Sequence, residues 1–247
     1  MATKAKKAVP AVIENSTGTS VVNYEAQQRK DLEALSDRTA PGGGDKIRIT
    51  RDKKFKLPDG TTNPGPLSIV VLDFVSGNYF YDKPYKEGEI APPACFAIGL
   101  NPKKLEPSAN SPEKQSDTCG ECPNNAFGSK GKGKACANKR KLAVMEPSDD
   151  ANAPVYLLDV SATGTGAWDS YVNTLKASLK KMPYGVITDV FFDTNSDFQS
   201  LRFGNPQPLP AGVVANVMSK RAAALDRLMA EPDVSQYVKA APKKGKK

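Results

Sequence analysis

Residues 101–138 limit the possible folds of this chain more than any other feature. They include Pro102, Pro107, Pro112 and Pro123, many Gly, Ser, Asn and Lys residues, and few apolar side chains. A compact domain rarely holds a structureless loop beyond roughly 12–15 residues, so a stretch this long needs a fastening other than a hydrophobic core. The cysteines offer one. Cys95 lies just before the stretch, Cys119 and Cys122 form Cys-Gly-Glu-Cys-Pro within it, and Cys136 stands near its end. Two thiolates two residues apart make a knuckle for one edge of a tetrahedral ion, and Cys95 and Cys136 complete a four-sulfur set, so a structural Zn²⁺ is expected. Such an ion binds the ordered chain and not the unfolded one, and would fold the loop. A zinc ribbon shows two knuckles and this chain has one. The alternative therefore stays open that Cys95 is a buried strand thiol and the other three form no site. Disulfides are not expected without a secretion signal.

The rest of the composition narrows the chemistry. The 247 residues contain no histidine, which removes Ser-His-Asp and Cys-His catalysis and histidine-ligated zinc together. The apolar stretch around Leu67–Leu72, broken by Ser68, is far short of the ~20 residues that cross a bilayer, and no hydrophobic segment follows Lys4, Lys6 and Lys7. A soluble chain without membrane association is expected. The net charge of +8 suggests an anionic partner. However, Lys4, Lys6, Lys7, Lys243, Lys244, Lys246 and Lys247 all sit in the two tails. What matters is whether the cations of the body are gathered into patches.

Along the chain, residues 1–19 read as a flexible basic arm and 20–40 as a helix ended by Pro41-Gly-Gly-Gly44. Residues 45–231 read as one domain with the cysteine-rich insertion 101–138, and 232–247 as a basic tail. Lys46–Leu57 alternates, with Ile47, Ile49, Phe55 and Leu57 on one side and Lys46, Arg48, Lys54 and Lys56 on the other. Leu67–Val75 reads as a buried strand, Ser76-Gly77 as a turn and Asn78–Tyr81 as a return strand. Further strands are expected at 94–100, 139–145, 155–160, 184–192 and 198–203, and helices at 167–179 and 213–229. This order is mainly β with appended helices.

Between Glu121 and Glu146 there is no acidic side chain, while Lys130, Lys132, Lys134, Lys139, Arg140 and Lys141 fall in that interval. Glycines 128, 131 and 133 would let the backbone approach a polyanion. Gly128–Lys134 also fits the first part of a nucleotide-binding loop, but Ala135 stands where Ser or Thr should hold Mg²⁺. Thr163-Gly-Thr-Gly166 reads as a helix start capped by Thr165. Exposed rings would favour unpaired bases over duplex, and Tyr79, Tyr81 and Phe198 are the candidates, with Arg202 sharing the parity of Phe198. Asp189, Asp193 and Asp197 admit a metal-nuclease reading, although Asp also forms turns. No catalytic residue is assigned and no enzyme is expected.

Cys-x-x-Cys-Pro-Asn-Asn-x-Phe-Gly-Ser at 119–129, Gly-Lys-Gly-Lys-Ala-Cys with Lys-Arg-Lys-Leu-Ala-Val at 131–144, and Pro154–Ser161 followed by Trp168 and Tyr171 resemble bacteriophage single-stranded-DNA-binding proteins. Residues 183–188 and 198–203 continue the resemblance. It implies an OB-like β-barrel with an inserted cysteine-rich loop, and a role in phage replication or recombination in the cytoplasm of an infected bacterium. Many such proteins end in an acidic tail that recruits phage or host replication proteins. This chain ends in Lys243–Lys247, so the tail itself becomes a candidate for touching nucleic acid. The expected function is largely sequence-independent binding of single-stranded DNA. The rivals are a modulator of a host transcription or replication protein, and an annealing protein or carboxylate-metal nuclease.

Overall fold

A computed structural model describes residue 24, residues 26–28, residue 30, residues 45–84 and residues 91–238. The chain divides into two compact units, Met1–Gly44 and Asp45–Lys247. In the first, the described residues are helical, and Gln28 donates to the Tyr24 hydroxyl at 2.9 Å. The expected arm at 1–19 and the tail from 239 lie outside the described residues.

The second unit is built on one nine-stranded sheet. Its strands are β1 (Lys46–Ile49), β2 (Phe55–Lys56), β3 (Thr62–Asn63), β4 (Leu67–Phe80), β5 (Cys95–Gly99), β6 (Cys136–Met145), β7 (Tyr156–Val160), β8 (Val186–Phe192) and β9 (Leu201–Pro208). The spatial order is β3-β2-β1-β7-β6-β4-β8-β9, with β5 also paired to β4, and among the described residues only β1 and β7 run parallel. The sheet curls into a half-barrel. At its open side the β1–β2 turn meets the β8–β9 connection. There Lys53 Nζ donates to Ser196 O at 2.6 Å, Gln199 Nε2 to Arg51 O at 3.1 Å, and the rings of Phe55 and Phe192 stack at 4.6 Å. The mainly β architecture matches the sequence expectation.

Strand β4 organises both faces. Its other edge is shared, Leu67–Ile69 pairing with β8 and Ser76–Phe80 with β5, while β6 pairs with it from Val70 to Phe80. A bulge between Val71 and Asp73 shifts the alternation by one. Leu67, Ile69 and Val71 therefore point inward before the bulge, and Phe74, Ser76, Asn78 and Phe80 lie on the same face after it. Arg221 Nε satisfies the bulge carbonyl, donating to Leu72 O at 3.2 Å. The expected turn at Ser76-Gly77 is absent because partners on both sides carry the strand through. Gly77 is needed for another reason: a Cβ there would lie 2.7 Å from Cε2 and 3.0 Å from the hydroxyl of Tyr79, whose ring reaches over it. The single strand expected over 46–57 likewise breaks into β1 and β2 at a tight turn, where Lys53 takes φ 56°.

Two helices close the two faces. Helix α1 (Ala162–Thr174) continues into a π turn (Leu175–Leu179) and ends at left-handed Lys180. Trp168, Tyr171 and Leu175 share one stripe and fill the inside of the curl with Ile47, Leu142, Val144, Leu158 and Val160. Ser161, not Thr165, is the N-cap residue. Gly164 lets the helix sit close, since a Cβ there would be 2.8 Å from Cγ1 of Val160. Helix α2 (Ala211–Met229) lays Val213, Val217, Ala224 and Leu228 on the outer face, over Val70, Leu72, Val75, Ala143 and Met145. Beyond its end, Glu231 accepts from Ser108 and Asn110, and the Tyr237 hydroxyl donates to Asp82 at 3.0 Å. The segment expected as tail from 232 is thus fastened at least to Tyr237. No described helix is long and apolar enough to cross a membrane.

Candidate nucleic-acid interface

The register of the central strands brings many of the predicted cations onto one face. Arg48 stands opposite Lys56, Lys46 opposite Leu157, Lys141 opposite Asp159, and Gly77 opposite Lys139. Opposed residues share a face and so do residues two apart along a strand. Lys56, Arg48, Lys46, Asp159, Lys139, Lys141, Gly77 and Tyr79 therefore line the outer face of β2, β1, β7, β6 and β4. Helix α2 covers the part of this face around Ala143 and Met145 and stops at Lys141.

Asp159 sits at the centre of this face. Its Oδ2 accepts from Lys46 Nζ at 2.7 Å and from Lys139 Nζ at 3.4 Å. Burial opposes its ionisation, but the two ammonium groups and their hydrogen bonds outweigh that and hold the carboxyl below its ordinary range. One carboxylate thus orients two lysines that remain partly exposed, and Arg48 and Lys56 are exposed beside them.

The aromatic residues divide. Tyr81 is 39% exposed, and burial followed by the Asp159 charge raises its phenol above the ordinary value. Tyr79 is only 8% exposed, so the expectation of an open ring does not hold for it. Its ring is trapped between Gly77 and the Lys139 ammonium, 5.5 Å from the ring centroid. Its phenol is pushed well up by burial, then by Asp159 and Tyr81.

Two predicted phosphate contacts serve the fold instead. Lys141 Nζ donates to Leu228 O at 2.8 Å and reaches Ala230 O at 3.5 Å, so its charge closes the C-terminal end of α2. Burial pushes its ammonium below the ordinary value. Arg140 points to the opposite face, its side chain 11% exposed. It makes a forked pair with Asp169 of α1, Nε to Oδ1 at 3.1 Å and Nη2 to Oδ2 at 2.7 Å.

A second group gathers where the sheet curls back. Phe198 is 66% exposed, in the loop before β9 and not on a strand as expected. Lys54 is exposed and paired with Asp52 at 2.7 Å, and Arg202 is paired with Asp193 at 2.5 Å. The Gln199 and Lys53 hydrogen bonds join these two segments. Two of the three aspartates considered for catalysis are engaged elsewhere: Asp189 accepts from Ser68 and Asn205, and Asp193 holds Arg202.

The cysteine insertion packs on the reverse face. Cys95, Phe80 and Cys136 are in register across β5, β4 and β6, and Ala97, Asn78 and Asn138 form the next row. Asn138 Nδ2 donates to Asn78 Oδ1 at 2.6 Å and to Asn125 Oδ1 at 3.0 Å, and Asn125 Nδ2 donates to Cys119 O at 2.7 Å. The knuckle is thus pinned to the sheet by asparagines. All four cysteines are buried, reduced, and line one cavity of about 10 Å³. Burial, then the neighbouring thiols, push Cys136 up to about 12, and burial raises Cys119 against a hydrogen bond from Asn78. Among the described residues no three His, Cys, Asp or Glu side chains form a group that could hold a metal ion. The expected zinc site is therefore not shown.

Lys130 and Lys132 are exposed at the tip of the insertion, and Lys134 donates to Asn125 Oδ1 at 3.2 Å. Between them and the knuckle stands Phe127, 80% exposed, which the sequence places in the 119–129 motif but does not single out as a contact. A lone ring in a stretch without apolar partners was the available signal. Comparison with protein-family models, curated proteins and solved structures returns no match.

Proposed function

We propose that the chain binds single-stranded DNA without strong sequence preference, using the uncovered outer face of β1, β2, β6 and β7. One observation carries the reading: strand register assembles Lys46, Arg48, Lys56 and Lys139 from three strands, β1, β2 and β6, onto one face, with Tyr81 at its margin. Asp159 keeps two of the lysines extended over the sheet, so less side-chain freedom is lost when phosphates arrive. Tyr81 and Phe198 supply rings on which unpaired bases stack. The curled sheet is compatible with an OB-like barrel, and the resemblance to phage proteins supports a role in phage replication or recombination within an infected cell.

The test is fluorescence anisotropy with a labelled dT oligonucleotide across a salt series. Affinity should fall with a log–log slope of about −0.7 per phosphate neutralised. Affinity unchanged between low and high salt, or capture of a host protein without DNA binding, overturns the reading.

A structural zinc on Cys95, Cys119, Cys122 and Cys136 belongs to the same proposal, supported by the common cavity the four thiols line. Its sulfurs would have to draw together on the ion. Elemental analysis of freshly reduced protein should find about one zinc per chain, lost in the four-fold Cys→Ser variant. Absence of zinc from the unaltered chain overturns it.

A further inference from the structure

We infer that Phe127 at the tip of the insertion is a base-stacking residue, and that the tip is a second contact for single-stranded nucleic acid. This rests on the single-strand reading of the outer sheet face. Phe127 is more exposed than any other large apolar side chain among the described residues. A ring in such a position contributes little to folding, because burial is the source of its stabilising effect.

The loop holds the ring out by construction. Gly128 N donates to Gly133 O at 2.9 Å, Lys130 and Gly133 pair across the tip, and Ser129 N donates to Ala126 O at 3.2 Å. The Ser129 hydroxyl reaches Ala126 O at 2.7 Å and receives Ala135 N at 2.9 Å. Gly128 at φ 90° and Gly131 at φ 58° take the left-handed turns this closure needs. These bonds close the backbone on either side of Phe127, and the ring stands in solvent. A tip whose backbone is already closed loses less entropy when the ring stacks.

Charge selects the partner. Lys130 and Lys132 are exposed on the same tip, three and five residues after Phe127, and no Asp or Glu occurs from residue 122 to 145. A ring bordered by cations without compensating carboxylates matches an unpaired base flanked by phosphates. An apolar protein pocket would supply no reason for the lysines.

The experiment uses the full chain and two labelled oligonucleotides of equal length, one of dT and one of abasic sugar-phosphate. The unaltered protein should prefer dT. Phe127→Ala should weaken dT binding roughly 5- to 100-fold and leave the abasic strand unchanged, while Phe127→Trp keeps the preference. Lys130→Glu with Lys132→Glu should weaken both strands. Equal dT affinity for the unaltered and Phe127→Ala proteins overturns this inference and leaves the sheet-face reading standing. Failure of the unaltered chain to bind either oligonucleotide overturns both.

Discussion

Residues 138 to 141 of β6 separate two surfaces that the linear sequence presents as one basic run. Lys139 faces outward to Asp159 and Tyr79, whereas Arg140 faces the other way and is locked to Asp169. Asn138 shares the face of Arg140 and pins the cysteine knuckle, and Lys141 shares the face of Lys139 but is spent on the end of α2. The lesson is that a cluster of cations along a strand is two clusters in space, each with half the charge. The outer face is polar, open and built by register. The reverse face at the knuckle is built by buried Asn78, the partly buried Asn125 and Asn138, and sulfur. Function is assigned to the first by its exposure, and to the second only at its tip.

The sharpest way to break this division is to reverse charge on the outer face. Lys46→Glu, Arg48→Glu and Lys139→Glu together should lower the affinity for a dT oligonucleotide by roughly 100-fold or more and reduce the salt slope by about 2. Anisotropy titrations at two salt concentrations measure both. A loss under threefold would mean that strands bind elsewhere.

Arg140→Ala should do the opposite, costing about 1.5–3 kcal/mol of stability through the lost forked pair while leaving DNA affinity within twofold. Urea unfolding and anisotropy on the same sample separate the two effects. A stable variant with weakened binding would return Arg140 to the interface.

Asn138→Ala should cost about 1–2 kcal/mol, since it removes the donor shared by Asn78 and Asn125. It should also raise proteolysis within 101–138 before any cut appears in the sheet. Protection of the insertion equal to that of the unaltered chain would show that the knuckle is held by other means.

The smallest effect concerns pH. Because the folded Asp159 titrates below its ordinary value, its pairing contributes stability present above the unfolded pKa of about 3.9 and lost as pH falls through the folded one. Carboxyl NMR should place its midpoint below the ordinary aspartate range, and Lys46→Ala should move it upward. A midpoint unmoved by that substitution would contradict the Lys46 contact.

Much of the sheet was legible because Lys46–Ile49 alternates and Ile69–Leu72 is a continuous apolar run, both local patterns. The face of each residue after position 72 was not, because one bulge inverts the parity of β4 and nothing local marks it. Ser76-Gly77 has turn chemistry, yet pairing on both edges overrode it. Arg140 and Lys141 looked like phosphate contacts because their true partners, Asp169 and the Leu228 carbonyl, are distant in sequence. Cysteine spacing raised the question of a shared site; the four thiols line one cavity, and spacing could not say on which side of the sheet it lies. Phe127 escaped notice because Gly, Asn and Lys neighbours read as solvated loop, and its exposure is a property of the folded tip.

Lysine acetylation footprinting by mass spectrometry, with and without a saturating dT oligonucleotide, reaches the central division most directly. Lys46, Lys56 and Lys139 should lose reactivity when the strand binds, while Lys176 and Lys180 of the α1 end keep theirs. Undiminished labelling of Lys46, Lys56 and Lys139 in the presence of bound strand would contradict the assignment of the outer face.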